Sequence, residues 1–133
     1  MERRRTGRGN DVSEHIRSEL ADGVLTVTLG RADKKNAITQ AMYSAMAEAT
    51  ERARTDEAVR VLLLRAEGDN FSAGNDIGDF LNQPPAGQDS PVFRFLRAIA
   101  TFPKPLLASV CGPAVITRTE FFWPWRYFAD ASV

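Results

Sequence analysis

The first patterned segment of the chain alternates between hydrophobic and polar positions. Residues 15–30 contain two short runs of strand-forming residues that meet at Asp22 and Gly23. An Asp-Gly pair between two such runs is typical of the two-residue turn of a β-hairpin. The pattern therefore predicts that two antiparallel strands open the fold.

Two later segments show the three-to-four-residue period of an amphipathic helix. The first lies in residues 39–56, where the hydrophobic positions are Met42, Ala45, Met46, Ala49 and Ala53. The second follows a proline-rich loop at residues 81–91, and its hydrophobic positions are Val92, Phe95, Leu96, Ile99 and Phe102. Pro103 and Pro105 cannot continue a helix, so the second helix is expected to stop before them.

Two runs are hydrophobic without alternation. They occupy residues 59–66 and 105–115. Runs that are mostly hydrophobic and lack alternation are expected for strands that are covered on both faces, as in a parallel sheet. The element order strand-strand-helix-strand-helix-strand then predicts an α/β domain.

Composition limits the class of protein further. The chain has 133 residues, of which 44% are hydrophobic and 26% charged, so we expect a single hydrophobic core. Lys plus Arg and Asp plus Glu both number 17, which gives no reason to expect nucleic acid or an anionic membrane as a partner. Cys111 and His15 are single residues of their kinds, which argues against disulfides and a zinc site. No run approaches the roughly 20 residues of a membrane span, and a cytoplasmic protein is expected.

The first eleven residues form a separate segment. They carry four arginines and no hydrophobic period. We interpret residues 1–11 as a disordered basic arm, with a phosphate-binding or nucleic-acid-binding arm as the alternative. Residues 12–133 are then the folded domain.

The sequence FSAGNDI, residues 71–77, follows the hydrophobic run at 59–66 and is the strongest candidate for a functional loop. Small residues, a glycine and an acid are concentrated where a buried strand ends. A loop of small residues lets a ligand approach the backbone closely, and a glycine permits an approach that a side chain would block. Asp76 is expected to cap or begin the next short helix, with Ile77 and Phe80 packed inward. The alternative is a loop that only caps this helix and binds no ligand.

Four segments in this order resemble the enoyl-CoA hydratase/isomerase superfamily, also called the crotonases. They are GVLTVTLGRADKKNAIT, the helix that follows it, VRVLLLRAEGDNFSAGNDI, and FPKPLLASVCGPAV. The resemblance covers about residues 14–115 and implies an α/β fold with a crotonase-like ββα spiral core. The core is expected to be incomplete, lacking the C-terminal helices that form trimers or hexamers in the family.

The resemblance also implies an activity. Family members bind an acyl-CoA thioester as substrate, without a further cofactor or metal, and stabilise its enolate with two backbone N–H groups. By position, Ala73 supplies one of these donors in a binding loop of Ser72, Ala73, Gly74, Asn75, Asp76 and Ile77. Fixed amide donors at a developing oxyanion are each worth about 3 to 4 kcal/mol of transition-state energy. The implied activities, a hydratase (lyase) or an isomerase, belong to fatty acid metabolism.

The connection KKNAIT is expected to meet the CoA moiety. The resemblance implies that the backbone of Ala37 contacts the adenine and that Lys34 or Lys35 contacts the phosphates, for which a lysine serves as a point charge. A solvated loop in which Asn36 makes a turn is the alternative. Lys104 is interpreted as a surface charge, Cys111 as a small core residue, and His15, on the first strand, as having no chemical role.

Residues 116–133 depart from the family pattern. Thr117 takes the position of the second donor, and Glu120 takes that of one catalytic glutamate of the hydratases. Side chains replace expected glycines there, and Pro124 would interrupt the following helix. The other catalytic glutamate of the family would lie beyond residue 133. A relative that binds CoA thioesters without catalysis is therefore the alternative to an enzyme.

Overall fold

The computed structural model describes residues 14–114 and 127–130. Its strands are β1 Ile16–Ala21, β2 Val24–Leu29, β3 Val61–Ala66, β4 Leu106–Val110 and β5 Tyr127–Asp130, and its helices are α1 Gln40–Thr55, α2 Ile77–Asn82 and α3 Pro91–Ala100, with a short 3₁₀ helix at Ala32–Lys34. The predicted α/β class and both amphipathic helices are confirmed.

The five strands form one sheet in the order β1-β2-β3-β4-β5. β1 and β2 are antiparallel, as the Asp22-Gly23 turn predicts. The remaining pairs are parallel, and Leu64 lies opposite Val27 on one side and opposite Ala108 on the other. Since parallel strands all end at one edge of the sheet, the segments that follow β3 and β4 emerge as neighbours.

The core lies between one face of the sheet and the helices α1 and α3. Alternate strand residues are fully buried on this face, among them Val27, Leu62 and Leu106. Tyr43 of α1 and Phe95 of α3 are also buried, and their ring centroids are 5.8 Å apart. The opposite face of the sheet is only half-buried at its central leucines. Among the described residues, β3 and β4 are therefore covered on one face, whereas the sequence predicted both.

Lys104 is not a simple surface charge. Its Nζ donates hydrogen bonds to the carbonyl oxygens of Ala53, Asp56 and Val59, at 2.6, 2.8 and 2.8 Å. The last carbonyls of a helix lack partners within the helix and carry the negative end of its dipole. The Lys104 ammonium therefore caps the C-terminal end of α1.

Three other predicted positions differ in detail. Cys111 is half-buried and lies just after β4, so it is not a core residue of that strand. His15 lies one residue before β1. Asp76 caps α2 as predicted, and Phe80 packs on the edge of the core, but Ile77 is 73% exposed rather than packed inward. The basic arm at residues 1–11 lies outside the described residues.

Candidate active site

The loop that follows β3 lies between two other chain segments. On one side the Phe71 N–H donates to the carbonyl oxygen of Pro113 (2.9 Å), just after β4. On the other side the Ile38 N–H donates to Gly74 O, and the Asp76 N–H donates to Ile38 O, both at 2.8 Å. The candidate loop is thus held in an extended form between the KKNAIT connection and the exit of β4.

The Ala73 N–H is used inside the protein. It donates to the carbonyl oxygen of Lys35 at 2.9 Å, although the residue itself is exposed. A ligand oxygen could receive this proton only after that bond is broken. The structure therefore contradicts the assignment of Ala73 as the backbone donor.

The outward-facing backbone N–H that was expected at Ala73 is found at Asn75. Ile38 bonds to the residues on both sides of it, Gly74 and Asp76, so the N–H and C=O of Asn75 point away from Ile38. Successive backbone groups of an extended segment alternate in this way. Within residues 14–114 and 127–130, the Asn75 N–H has no hydrogen-bond partner, and the residue is exposed.

The backbone just before Asn75 is fixed by a serine. The Ser72 Oγ is buried, accepts a hydrogen bond from the Gly74 N–H (3.0 Å) and donates one to the carbonyl oxygen of Asn36 (2.9 Å). Gly74 has a φ of +99°, a conformation that residues with a side chain rarely adopt. The serine and the glycine together turn the chain so that the Asn75 amide faces outward.

A residue of α1 hydrogen-bonds to the side chain of Asn75. The Tyr43 hydroxyl donates to Asn75 Oδ1 at 2.6 Å, and Tyr43 is fully buried. Burial raises the pKa of the Tyr43 phenol well above its usual value, so it remains a neutral donor. This bond ties the candidate donor residue to the core.

An ion pair closes the far end of the loop. Arg31 Nη1 lies 2.7 Å from Asp76 Oδ2 and also donates to the carbonyl oxygen of Ala37 at 2.9 Å. Asp76 Oδ1 accepts the N–H of Asp79 and so caps α2. That backbone hydrogen bond, followed by the hydrogen bond and charge of Arg31, holds the pKa of Asp76 below its usual value.

Asn36 is the centre of the polar network beneath the loop. It is fully buried, and its Nδ2 donates to the carbonyl oxygens of Glu67 (2.7 Å) and Asn70 (2.8 Å). Its Oδ1 accepts from the Arg31 N–H at 2.7 Å. Sequence reasoning treated Asn36 as a turn residue only and missed Arg31 and Tyr43. The one signal in the sequence was an asparagine in a polar connection, because asparagine tolerates the left-handed conformation that Asn36 adopts here (φ +57°).

The remaining predicted residues fall into two groups. Lys34 and Lys35 are exposed beside the loop, and the carbonyl of Lys35 is the acceptor for Ala73. Ala37 uses its N–H for Lys34 O (3.0 Å) and its carbonyl for Arg31. Thr117 and Glu120, the other predicted catalytic residues, lie outside the described residues.

Two further findings concern the described residues alone. They contain no group of three or more His, Cys, Asp or Glu side chains arranged to hold a metal ion. Nor does any helix in this part of the chain have the length and hydropathy to cross a membrane.

Comparison with known proteins identifies the family. The model of the enoyl-CoA hydratase/isomerase family matches residues 19–117. The chain belongs to the enoyl-CoA hydratase/isomerase family. Members of this family use CoA thioester substrates and need no separate cofactor.

The family member resembles curated proteins and solved structures at moderate identity. It is 36% identical to human enoyl-CoA delta isomerase 2 over 71% of this chain and 25% of that protein. It is 35% identical to 1,2-epoxyphenylacetyl-CoA isomerase of Escherichia coli K12, over 76% of this chain and 41% of that protein.

Two solved structures share its fold. The structure of Pseudomonas aeruginosa OdaA is 58% identical, with a TM-score of 0.72, and the match covers 77% of this chain and 41% of that one. The enoyl-CoA hydratase/isomerase of Pseudoalteromonas atlantica T6c is 37% identical, with a TM-score of 0.68 over 73% of this chain and 39% of that one. The predicted crotonase fold is therefore confirmed, and this family member spans well under half the length of these relatives.

Proposed function

We propose that this family member binds an acyl-CoA thioester and that the Asn75 N–H donates a hydrogen bond to the thioester carbonyl oxygen. The observation that carries the proposal is the Asn75 amide itself. It is exposed, it points away from Ile38, and it is unpartnered among the described residues while its neighbours on the loop are bonded within the protein.

Such a donor suits the chemistry of the family. Removing or adding a proton α to a thioester builds negative charge on the carbonyl oxygen. A donor that is already in place stabilises this charge without reorganising during the reaction, and one donor is worth about 3 to 4 kcal/mol. The bonds of Ser72, Tyr43 and Asp76 hold the Asn75 amide in place before a ligand arrives.

Lys34 and Lys35 are proposed to contact the CoA phosphates. Both side chains are exposed, and the backbone of Lys35 is bonded to Ala73. The two lysines therefore lie at the margin of the same loop, where a ligand bound at Asn75 can extend its phosphates towards them. Ala37, whose carbonyl already accepts from Arg31, has its second lone pair free for the adenine amino group.

Catalysis needs a second donor and a proton carrier. We assign these roles to the Thr117 N–H and to Glu120, by their positions in the family pattern, for hydration or isomerisation of an enoyl-CoA. A positioned carboxylate of this kind contributes about 10²- to 10⁴-fold. Fatty acid metabolism in the cytoplasm is the proposed setting, although one similar protein is named peroxisomal.

A second function, binding without turnover, is favoured by one observation. Both carboxylates in the four residues that follow Asn75 are already used by the protein. Asp76 pairs with Arg31 and caps α2, and Asp79 Oδ2 accepts the Gln40 N–H at 2.7 Å. Because both carboxylates have structural partners, we expect neither to act as the general acid or base. Turnover would then depend on Glu120.

Calorimetry with acetoacetyl-CoA tests binding, and hydration of crotonyl-CoA tests turnover. The proposal predicts that the original chain and Glu120→Gln both bind acetoacetyl-CoA. It also predicts that the original chain hydrates crotonyl-CoA and that Glu120→Gln does not. Binding with no turnover selects the second function. Replacing the Asn75 amide with an ester, which removes one N–H and keeps the side chain, is expected to weaken binding. The matched ester at Thr101, whose N–H bonds to Arg97 O away from the proposed site, is the control, and equal binding by all forms would contradict the proposal.

A further inference from the structure

A pocket lies between the start of α1, the end of α2 and the start of α3, and none of the residues that line it belongs to the loop of residues 72–77. Its volume is about 280 Å³, which is ample for a small molecule, since one water occupies about 30 Å³. Pro84, Pro85 and Pro91 give it an apolar wall, and Gln40, Asp89 and Ser90 supply its polar groups.

Two buried polar atoms of residues that line this pocket have no hydrogen-bond partner among the described residues. They are Gln40 Oε1 and Ser90 Oγ, and both residues are only 7% exposed. Among the described residues, these are the buried side-chain N and O atoms without a hydrogen bond, and both belong to residues that line the same pocket. Buried polar atoms are normally bonded, so this coincidence indicates a missing partner.

The Ser90 hydroxyl is unpartnered for a specific reason. Ser90 occupies the N-cap position of α3, where a serine side chain usually accepts a backbone N–H. Here its side chain makes no capping bond. By contrast, Thr39 at the same position of α1 accepts the Met42 N–H at 3.1 Å. The Ser90 hydroxyl therefore has no bond to α3, and a rotation about its Cα–Cβ bond would turn it towards a ligand in the pocket.

The side chain of Gln40 leaves only its acceptor available. Its Nε2 donates to the carbonyl oxygen of Gln83 at 2.6 Å, which fixes which end of the amide is used by the protein. Gln40 Oε1 can only accept, Ser90 Oγ can accept, and the Asp89 carboxylate accepts and carries a negative charge. The polar groups of the pocket are therefore complementary to a ligand that donates several hydrogen bonds.

We propose that this pocket binds the primary ammonium group of a small alkylamine or of a lysine side chain. An ammonium group has three N–H donors and no acceptor, which matches Gln40, Ser90 and Asp89. Its methylene stem packs on the proline wall. The N-terminal end of α3 carries about half a positive charge, whereas Asp89 carries a full negative one, so the net field favours a cation.

The direct experiment is an NMR titration of the full chain with n-butylammonium, followed at the Gln40 side-chain amide and the Ser90 backbone amide. The neutral and anionic probes of similar size are 1-butanol and butyrate. The proposal predicts a saturable shift with n-butylammonium, and affinities for the other two that are weaker by about fivefold or more, as for the loss of a charge-assisted bond. Equal affinities for n-butylammonium and 1-butanol, or no saturable shift, would overturn it.

Two variants examine the polar groups separately. Ser90→Ala and Asp89→Asn are each expected to weaken n-butylammonium binding about fivefold, and Asp89→Asn should also remove the preference over 1-butanol. The controls Ser18→Ala and Asp33→Asn change exposed residues elsewhere and should leave the affinity unchanged. Unaltered binding in both pocket variants would show that the probe sits elsewhere and would refute the assignment.

A third probe separates the two sources of the ammonium group. Nα-acetyl-lysine methylamide carries the same group on a peptide-like backbone. Tighter binding than n-butylammonium identifies a lysine side chain as the occupant, and weaker binding identifies a free amine. A high-resolution structure with ordered water on both Gln40 Oε1 and Ser90 Oγ, unchanged by saturating n-butylammonium, would show a water-filled pocket and end the proposal.

Discussion

The loop after β3 and the connection between α2 and α3 are both irregular segments, yet they treat their polar groups in opposite ways. Around the first, Asn36 and Ser72 bond to backbone groups distant in sequence, Asp76 pairs with the side chain of Arg31, and the Asn75 N–H points outward. At the second, Ser90 Oγ and the neighbouring Gln40 Oε1 of α1 lie buried without partners among the described residues. The hydrogen bonds of the first segment fix the position of one backbone donor. The second leaves its polar atoms for a ligand.

The largest expected difference in stability concerns a glycine that contacts the loop after β3. This residue, Gly112, follows β4 and packs against Asp69 of that loop. A Cβ on Gly112 would lie 2.0 Å from the carbonyl oxygen of Asp69, at a φ of +75°. Gly112→Ala is therefore expected to lower the free energy of unfolding by about 3 to 5 kcal/mol, because backbone must move. Urea denaturation measures this change.

Gly87 in the α2–α3 connection is the matched control. It has a similar φ of +78°, but no atom of residues 14–114 or 127–130 lies within 4 Å of its added Cβ. Gly87→Ala should then cost only about 1 to 2 kcal/mol, from the left-handed backbone alone. Equal costs at the two positions would show that the loop after β3 is not tightly held.

Asn36→Asp is expected to have the next largest effect. The substitution keeps an acceptor for the Arg31 N–H but removes the donors to Glu67 O and Asn70 O, and it places a charge beside both carbonyls. We expect a loss of about 2 to 4 kcal/mol in the free energy of unfolding. Asn82→Asp, at the exposed end of α2, should change stability by less than about 0.5 kcal/mol. If Asn36→Asp changed the free energy of unfolding as little as Asn82→Asp, the hydrogen bonds assigned to Asn36 would be contradicted.

Asp76→Asn is expected to cost about 1 to 2 kcal/mol at neutral pH, since it replaces a charge-assisted bond to Arg31 with a neutral one. The change should also alter the pH dependence. The folded protein lowers the pKa of Asp76 below its ordinary value of 3.8. Its stabilisation is therefore present above that value and is lost as the pH falls through the folded pKa.

Urea denaturation from neutral to acidic pH measures this dependence. The original chain should lose its advantage over Asp76→Asn below about pH 4. Asp89→Asn, which alters an exposed carboxylate of the α2–α3 connection, should leave the pH profile unchanged. An identical acid limb in the original chain and Asp76→Asn would show that the Arg31 pair contributes nothing.

The smallest expected effect distinguishes the two helix caps. Thr39→Ala removes a hydroxyl that accepts the Met42 N–H and should cost about 1 kcal/mol. Ser90→Ala removes a hydroxyl without a protein partner and should change the unligated protein by less than about 0.5 kcal/mol. Thermal denaturation compares them. A full capping cost at Ser90 would mean that its hydroxyl is bonded to α3 and not available to the pocket.

The elements of the fold were predictable because their signals are local. The Asp22-Gly23 turn and the helical period of Met42, Met46 and Ala49 each report on neighbours within a few residues. The half-buried outer face of β3 was not predictable in the same way. Its sequence VLLLRA begins with four consecutive hydrophobic residues that do not distinguish the two faces, and only the surrounding chain decides how much of the outer face is covered.

The donor was misassigned for a related reason. In the sequence SAGND every residue offers a backbone N–H, and the resemblance alone selected Ala73. Which amide remains available depends on Lys35 and Ile38, more than 30 residues away, because each takes specific groups of the loop. Long-range pairing of this kind leaves no local pattern, and the same holds for the ion pair of Arg31 with Asp76.

The most direct test of the central claim is the response of two backbone amide signals to acetoacetyl-CoA in a ¹⁵N-labelled chain. Our account predicts that the Asn75 amide proton moves downfield in a saturable way as it bonds to the thioester oxygen, while the Ala73 amide, bonded to Lys35, stays in place. A saturable shift at Ala73 with no change at Asn75, or no response at either amide, would contradict it.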